Sequence, residues 1–262
     1  MSATTIQFPD QFIETQQRLQ AGKITWAGPL TMLVIRPVLF VFWQAVIAGL
    51  LAVGGAANPW GASAAWWPWT AILTSLVCLI LLSVLMRREG GQLRDLYRLD
   101  RRYMRGDILL VVGLSILGLP ISYLPSLALG SWLLVSMQVV YRMFFQPLPT
   151  WAAISAVILF PIMISLSELP TYFGYVMPRL EALSGRRWLA VLLPAFFLAI
   201  QHGALPLIFD ARFIAWRVLM YVAFAGLVGL LLRWRPRLMP YLIVGHYLMD
   251  LMTIVTILMP PA

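Results

Sequence analysis

Long apolar runs separated by short arginine-rich clusters recur from one end of the chain to the other. Windows long enough to cross hydrocarbon, roughly 20 residues at about 1.5 Å each, fall at 28–53, 66–86, 108–125, 127–145, 151–173, 188–206, 213–232 and 239–258. The third and fourth are short and interrupted by Pro120 and Pro125. The pattern predicts an all-α fold, a polytopic transmembrane bundle of about seven or eight helices. Residues 1–27 contain no apolar core of signal-peptide type and are expected to form an N-terminal cytoplasmic surface segment.

Composition agrees with that pattern. The chain has 262 residues, 61% hydrophobic and 11% charged, against about 45–50% apolar and about 25% charged in ordinary soluble domains. So few charges cannot cover that much apolar surface in water, whereas hydrocarbon can serve as the solvent. Cys78 is the single cysteine and lies in a predicted span, which excludes an intramolecular disulfide and a thiolate metal cluster. No internal repeat is evident, and the only biased stretch is the Gly/Ala-rich 53–66.

The net charge of +9 raises nucleic acid as a partner, but the placement of the charges argues against it. Seven arginines fall between Arg87 and Arg105, interleaved with Glu89, Asp95 and Asp100. This basic loop, 87–106, reads as a cytoplasmic connection by the positive-inside rule, in reach of anionic membrane lipids; the simplest reading is a solvated loop that sets topology. Arg179, Arg186 and Arg187 form a second group, and Arg233, Arg235 and Arg237 a third. If all three face the cytoplasm, the N-terminus does too, and the chain crosses an even number of times between the first and second. One broken segment in 108–145 is then re-entrant or interfacial.

Among the ten acidic residues, Glu168 and Asp250 fall inside apolar windows, and both histidines of the chain, His202 and His246, lie in the same C-terminal half. An ionisable side chain in hydrocarbon is costly, about 2.5–3.5 kcal/mol for Asp on insertion scales, and marks a functional site by default. Glu168 and His202 each lie about 15 residues, roughly 22 Å, from the second arginine group, and His246 and Asp250 roughly 12 and 18 Å beyond Leu238. Four side chains on three helices therefore reach one slab of the bilayer. His246 and Asp250, spaced i, i+4, share a helical face.

Other features have ordinary explanations. Arg36, Arg142 and Arg217 sit near span ends, where snorkelling to the interface is expected. Asp210 and Arg212 can pair across a short loop. Tryptophans at 60–68 read as an interfacial belt, and Ala225 with Gly229 makes a small-xxx-small packing face.

A carboxylate and an imidazole facing one water can activate it for attack on a carbonyl, while a second His with an Asp partner steadies the oxyanion. The alternative is that Glu168, His202, His246 and Asp250 hold a divalent metal such as zinc. A proton relay through the same residues in a transporter is a third reading. The chain contains no HExxH and no GxGD signature.

Three motifs resemble the CPBP intramembrane proteases, the family of CAAX prenyl endopeptidases and bacteriocin-processing or immunity proteins. The first, of the form EExxxR followed by a Gly-Tyr-apolar stretch, is matched by Glu168, Gly174 and Tyr175, with Leu169 and Phe173 where the second Glu and the Arg would stand. The second, FxxxH, appears as Leu198 to His202 with Leu198 at the aromatic position, and the third, HxxxN or HxxxD, is matched by His246 to Asp250. The similarity covers roughly 150–258. It divides the chain into N-terminal membrane helices over 28–149 and a catalytic core over 150–262. It implies an eight-helix endopeptidase of a bacterial inner membrane that acts on a peptide or membrane-protein substrate and requires no cofactor. Glu168 and His202 would activate water, and His246 and Asp250 would stabilise the oxyanion. The substitutions at Leu169 and Phe173 keep the charge balance, because an acid and its partner are lost together, and they point equally to an inactive member acting in immunity or regulation. The expected geometry places Glu168 and His202 within reach of one bridging water, with His246 on the same cavity. Pro161, Pro170 and Pro178 are expected to kink the Glu168 helix and open that cavity to the cytoplasmic side.

Overall fold

A computed structural model describes residues 11–134 and 136–258; the first ten residues of the expected surface segment lie outside the described residues. The elements run α1 (Gln11–Gln20), α2 (Ala27–Val53), α3 (Pro59–Ser63), α4 (Trp67–Arg88), α5 (Met104–Leu133), α6 (Met137–Phe144), α7 (Thr150–Leu169), α8 (Met177–Ser184), α9 (Arg187–Gly203), α10 (Ala211–Trp234) and α11 (Met239–Leu258). A π-helical stretch, Pro170–Val176, joins α7 to α8 without a break. No strand occurs among the described residues. Five helical segments are long and apolar enough to cross a bilayer: Ala27–Val53, Pro59–Arg88, Thr150–Ser184, Ala211–Trp234 and Pro236–Thr256.

The azimuth of each helix follows from how its residues divide between neighbours and the outside. In α2, Leu30, Val34, Val38, Phe42, Val46 and Leu50 form an exposed apolar stripe at four-residue spacing. The opposite stripe, Met32, Arg36, Phe40, Gln44 and Ala48, is buried. An apolar surface turned outward and polar groups turned inward suit a lipid surround, where the polar groups find partners only within the protein.

Two apolar clusters fill the bundle. One gathers Met32, Leu82, Met86, Leu169, Tyr172 and Leu198. The other gathers Phe40, Trp67, Phe160, Ile164, Leu205 and Phe213. Arg36 lies on α2 between Met32 and Phe40, Glu168 lies between Ile164 and Leu169, and His202 lies between Leu198 and Leu205. The polar residues therefore occupy a layer between two dry cores.

All three arginine groups meet at one end of the bundle. Arg179 makes a bidentate contact with Glu89 and is fully buried there. Arg233 donates to Glu181 at 2.6 and 2.7 Å, and Arg237 lies 3.0 Å from Asp107. The loop over 87–106 is not merely solvated. Leu96 enters the first core, Glu89 and Asp100 are buried, and the Tyr97 hydroxyl donates to the Leu166 carbonyl at 2.8 Å. Burial pushes the Tyr97 phenol up to about 12, so it keeps its donor proton at neutral pH.

The chain over 108–145 differs from the two expected spans. One helix, α5, runs through both Pro120 and Pro125, because each proline removes a single backbone donor and bends a helix without ending it. What remains of the fourth window is α6, of 8 residues, far too short to cross. Asp210 also departs from its expected role. Its Oδ1 accepts from the backbone N–H groups of Arg212 and Phe213, capping α10 rather than pairing with the Arg212 side chain.

The small-residue face of α10 does bring helices close. Ala225 is fully buried, and a Cβ at Gly229 would stand 2.9 Å from Phe173 Cε1 and 3.3 Å from Val191 Cγ1. Gly229→Leu is expected to destabilise the bundle by about 1–3 kcal/mol through overpacking. Gly226→Leu, where an added Cβ meets nothing within 4 Å, should be near neutral. Thermal unfolding of both variants in detergent micelles checks this; equal melting temperatures would contradict it.

Candidate functional site

Glu168 is brought to the polar layer by the last turn of α7 and is buried, with a side chain 8% exposed. Its two oxygens have different surroundings. Oε2 accepts from Gln201 Nε2 at 2.6 Å and lies 3.5 Å from Arg36 Nη2. Oε1 faces His246 Nε2 at 3.6 Å. His246 Nε2 lies in turn 3.4 Å from Asp250 Oδ2, so the imidazole edge stands between two carboxylates. The i, i+4 spacing on α11 produces that second approach directly, while the close packing of α11 on α7 produces the first.

Arg36 is the residue the sequence placed wrongly. It is fully buried rather than snorkelling, because its stripe on α2 faces the bundle. Its Nε donates to Gln201 Oε1 at 2.7 Å and its Nη1 to Ser167 Oγ at 2.9 Å. The Tyr172 hydroxyl donates to the same Gln201 oxygen at 3.3 Å. Arg36, Gln201 and Tyr172 thus form a bracket that fixes Glu168 Oε2. Leu169 and Phe173 both lie in the first apolar core; no guanidinium comes from position 173, and one reaches Glu168 from α2 instead. Two signals in the sequence could have found this bracket: Arg36 lies about 13 Å into its span, counted from Ala27, and Gln201 stands directly before the first histidine.

His202 occupies the last turn of α9 and is held differently. Its Nδ1 lies 2.7 Å from the Leu198 carbonyl. A carbonyl only accepts, so Nδ1 carries the proton and Nε2 of the neutral ring is an acceptor. The ring stacks on Tyr221, centroids 3.5 Å apart at an interplanar angle of 19°. His202 is near enough to Glu168 to interact electrostatically, but no hydrogen bond joins the two among the described residues. Glu168 and Asp250 each contact His246, and His202 flanks this row.

Arg217 is also buried and does not snorkel. Its Nε donates to the His202 carbonyl at 3.3 Å and its Nη2 to the Leu205 carbonyl at 2.9 Å, fixing the C-terminal end of α9. Arg142 is exposed, but on the short helix α6 and not at the end of a span.

A zinc site needs ligand atoms at about 2.0–2.2 Å from one point. Among the described residues no three His, Cys, Asp or Glu side chains converge in that way. Glu168 Oε2 is committed to Gln201 and Arg36.

What the site offers is proton-transfer chemistry. Glu168 Oε1 is a carboxylate oxygen outside the bracket, and His246 Nδ1 and Asp250 Oδ2 are buried atoms with no hydrogen-bond partner among the described residues. Such groups retain the capacity to bind water or a polar substrate atom.

Comparison with family models, with curated proteins and with solved structures finds no match to this chain. The resemblance to CPBP proteases therefore rests on the three motifs alone.

Proposed function

We propose that the protein is an intramembrane endopeptidase that hydrolyses a peptide bond in a membrane-associated peptide or membrane protein without a metal. The observation that carries this reading is the packing of Glu168, His246 and Asp250 into one contact row, with Glu168 braced on one oxygen only. A water held between Glu168 Oε1 and His246 Nε2 gives up a proton to the carboxylate as its oxygen attacks the peptide carbonyl carbon. The oxyanion is stabilised by the N–H of His246, and the proton passes from Glu168 to the departing amine as the C–N bond breaks. His202, with Nε2 as acceptor, is the second proton-accepting group.

The membrane arrangement belongs to the same proposal. With α5 and α9 added to the five long apolar segments, the chain crosses seven times. Two crossings, α5 and the α7–α8 rod, then separate the first and second arginine groups, an even number. The arginine end and the N-terminus face the cytoplasm of a bacterial inner membrane, and the site opens to that side.

The Arg36–Glu168 ion pair also favours a second reading, a non-catalytic membrane protein of immunity or regulation. A guanidinium beside a carboxylate weakens it as a base, and Gln201 saturates the same oxygen. Comparing membrane-peptide fragments in cells carrying the parent or Glu168→Gln at equal abundance tests the choice. Fragments that vanish with Glu168→Gln support the endopeptidase. An unchanged fragment set, with a phenotype that survives substitution of Glu168, His202, His246 and Asp250 together, supports the second reading.

A further inference from the structure

At the end of the bundle opposite the arginine groups lies a cavity of about 410 Å³. Three separate segments frame it: Asn58 and Trp60 between α2 and α4, Arg142 and Gln146 at and after the end of α6, and Leu207 and Phe209 in the α9–α10 loop. It is distinct from the polar layer around Glu168. Gln44, which bonds its floor, lies eight residues or about 12 Å along α2 from Arg36.

The floor is rigidly built. Leu207 donates its N–H to Gln44 Oε1 at 2.7 Å, and its carbonyl accepts from Gln44 Nε2 and Trp60 Nε1, each at 3.0 Å. One wall is aromatic, with the Trp60 and Phe209 rings stacked at 5.2 Å and 22°. Among the described residues of the lining, Arg142 is the only charged one, and it is exposed. Among the described residues no carboxylate lies within ion-pair distance of it. Asp210, next along the loop, turns its Oδ1 into the α10 cap.

We infer that this cavity binds the phosphodiester headgroup of an anionic membrane phospholipid. Its position supports that occupant: the lining segments follow α2 and precede α4 and α10, where three of the apolar spans end. Headgroups sit at that level, and an aromatic wall suits the interface. A guanidinium recognises phosphate oxygens through charge-assisted hydrogen bonds, and the asparagine and glutamine amides add neutral donors. The remaining apolar lining accommodates the glycerol and upper acyl segments, which a free phosphate ion lacks.

The test uses the full chain in micelles, with lipid retention read by native mass spectrometry. The parent is expected to retain one phosphatidylglycerol in preference to phosphatidylcholine. Arg142→Gln should weaken that retention roughly tenfold to a hundredfold, the loss of one charge-assisted contact. Arg212→Gln, exposed on the same face but outside the cavity lining, should leave retention unchanged. Equal retention of the two lipids by the parent, or equal losses in the two arginine variants, overturns the site. If inorganic phosphate alone occupies it and phosphatidylglycerol does not displace it, the lipid assignment is overturned.

Discussion

His246→Ala is expected to slow hydrolysis of a membrane peptide substrate by about two to four orders of magnitude, the range for loss of an acid–base group. The reason is geometric. His246 Nε2 lies 3.6 Å from Glu168 Oε1 and 3.4 Å from Asp250 Oδ2, so removing the ring removes the group that links the two carboxylates and holds the water beside Glu168. Glu168→Gln should cost as much. Because the two residues act on the same water, the double variant should lose little more than either single one, as seen for residues that work as a unit. His202→Ala should differ in kind. That ring is tied to the Leu198 carbonyl and to Tyr221, and its loss removes a flanking acceptor while the Glu168–His246 contact stays. Single-turnover rates in proteoliposomes measure all four enzymes. Losses that multiply in the Glu168/His246 double variant would mean that they do not share one water, and parental rates in either single variant would end the catalytic assignment.

The largest effect on stability is expected at Arg36. Arg36→Met leaves Glu168 without its cation in a buried layer and removes a donor from both Gln201 and Ser167. Breaking one half of a buried ion pair typically costs about 3–5 kcal/mol, mostly the penalty of stranding the other charge. The double variant Arg36→Met, Glu168→Gln should recover much of that loss, since no buried charge is then left alone, yet it should stay inactive. Arg36→Lys should recover only part. A single ammonium cannot reproduce the fork that reaches Gln201, Ser167 and Glu168 at once. Denaturant unfolding in mixed micelles reports these differences. If Arg36→Met matches the parent, or the double variant is no more stable than the single one, the ion pair is not what holds this layer together.

A stable bracket and a free oxygen are compatible. The contacts that hold Glu168 all fall on Oε2, and those that could serve chemistry fall on Oε1. The bracket limits the carboxylate to one orientation, which lowers the reorganisation needed at the moment of reaction. In the second reading the same bracket is simply a structural knot, and the variants at Arg36 and His246 separate the two: Arg36 substitutions act on stability under either reading, whereas His246→Ala acts on rate only under the first.

The helical class and the membrane-length segments were legible in the amino-acid order, because the length of an apolar run and the cost of a charge within it are one-dimensional quantities. Rise per residue also converts sequence distance into height and put Glu168, His202, His246 and Asp250 in one slab, of which the fold joins Glu168, His246 and Asp250 in a row with His202 beside it; the shared face of His246 and Asp250 followed from their i, i+4 spacing. Azimuth was not legible. Whether Arg36 turns to lipid or to the interior depends on which side of α2 its neighbours cover, and only packing against α4, the Pro170–Val176 stretch and α9 decides that. The same holds for the contact partner of Glu168, which is His246 on α11 rather than His202 on α9, and for Leu96 and Tyr97, whose loop is drawn into the core by burial and one hydrogen bond. Pro120 and Pro125 looked like span boundaries because a proline's local cost is visible in sequence, whereas the surrounding contacts that carry α5 through both of them exist only in the folded bundle.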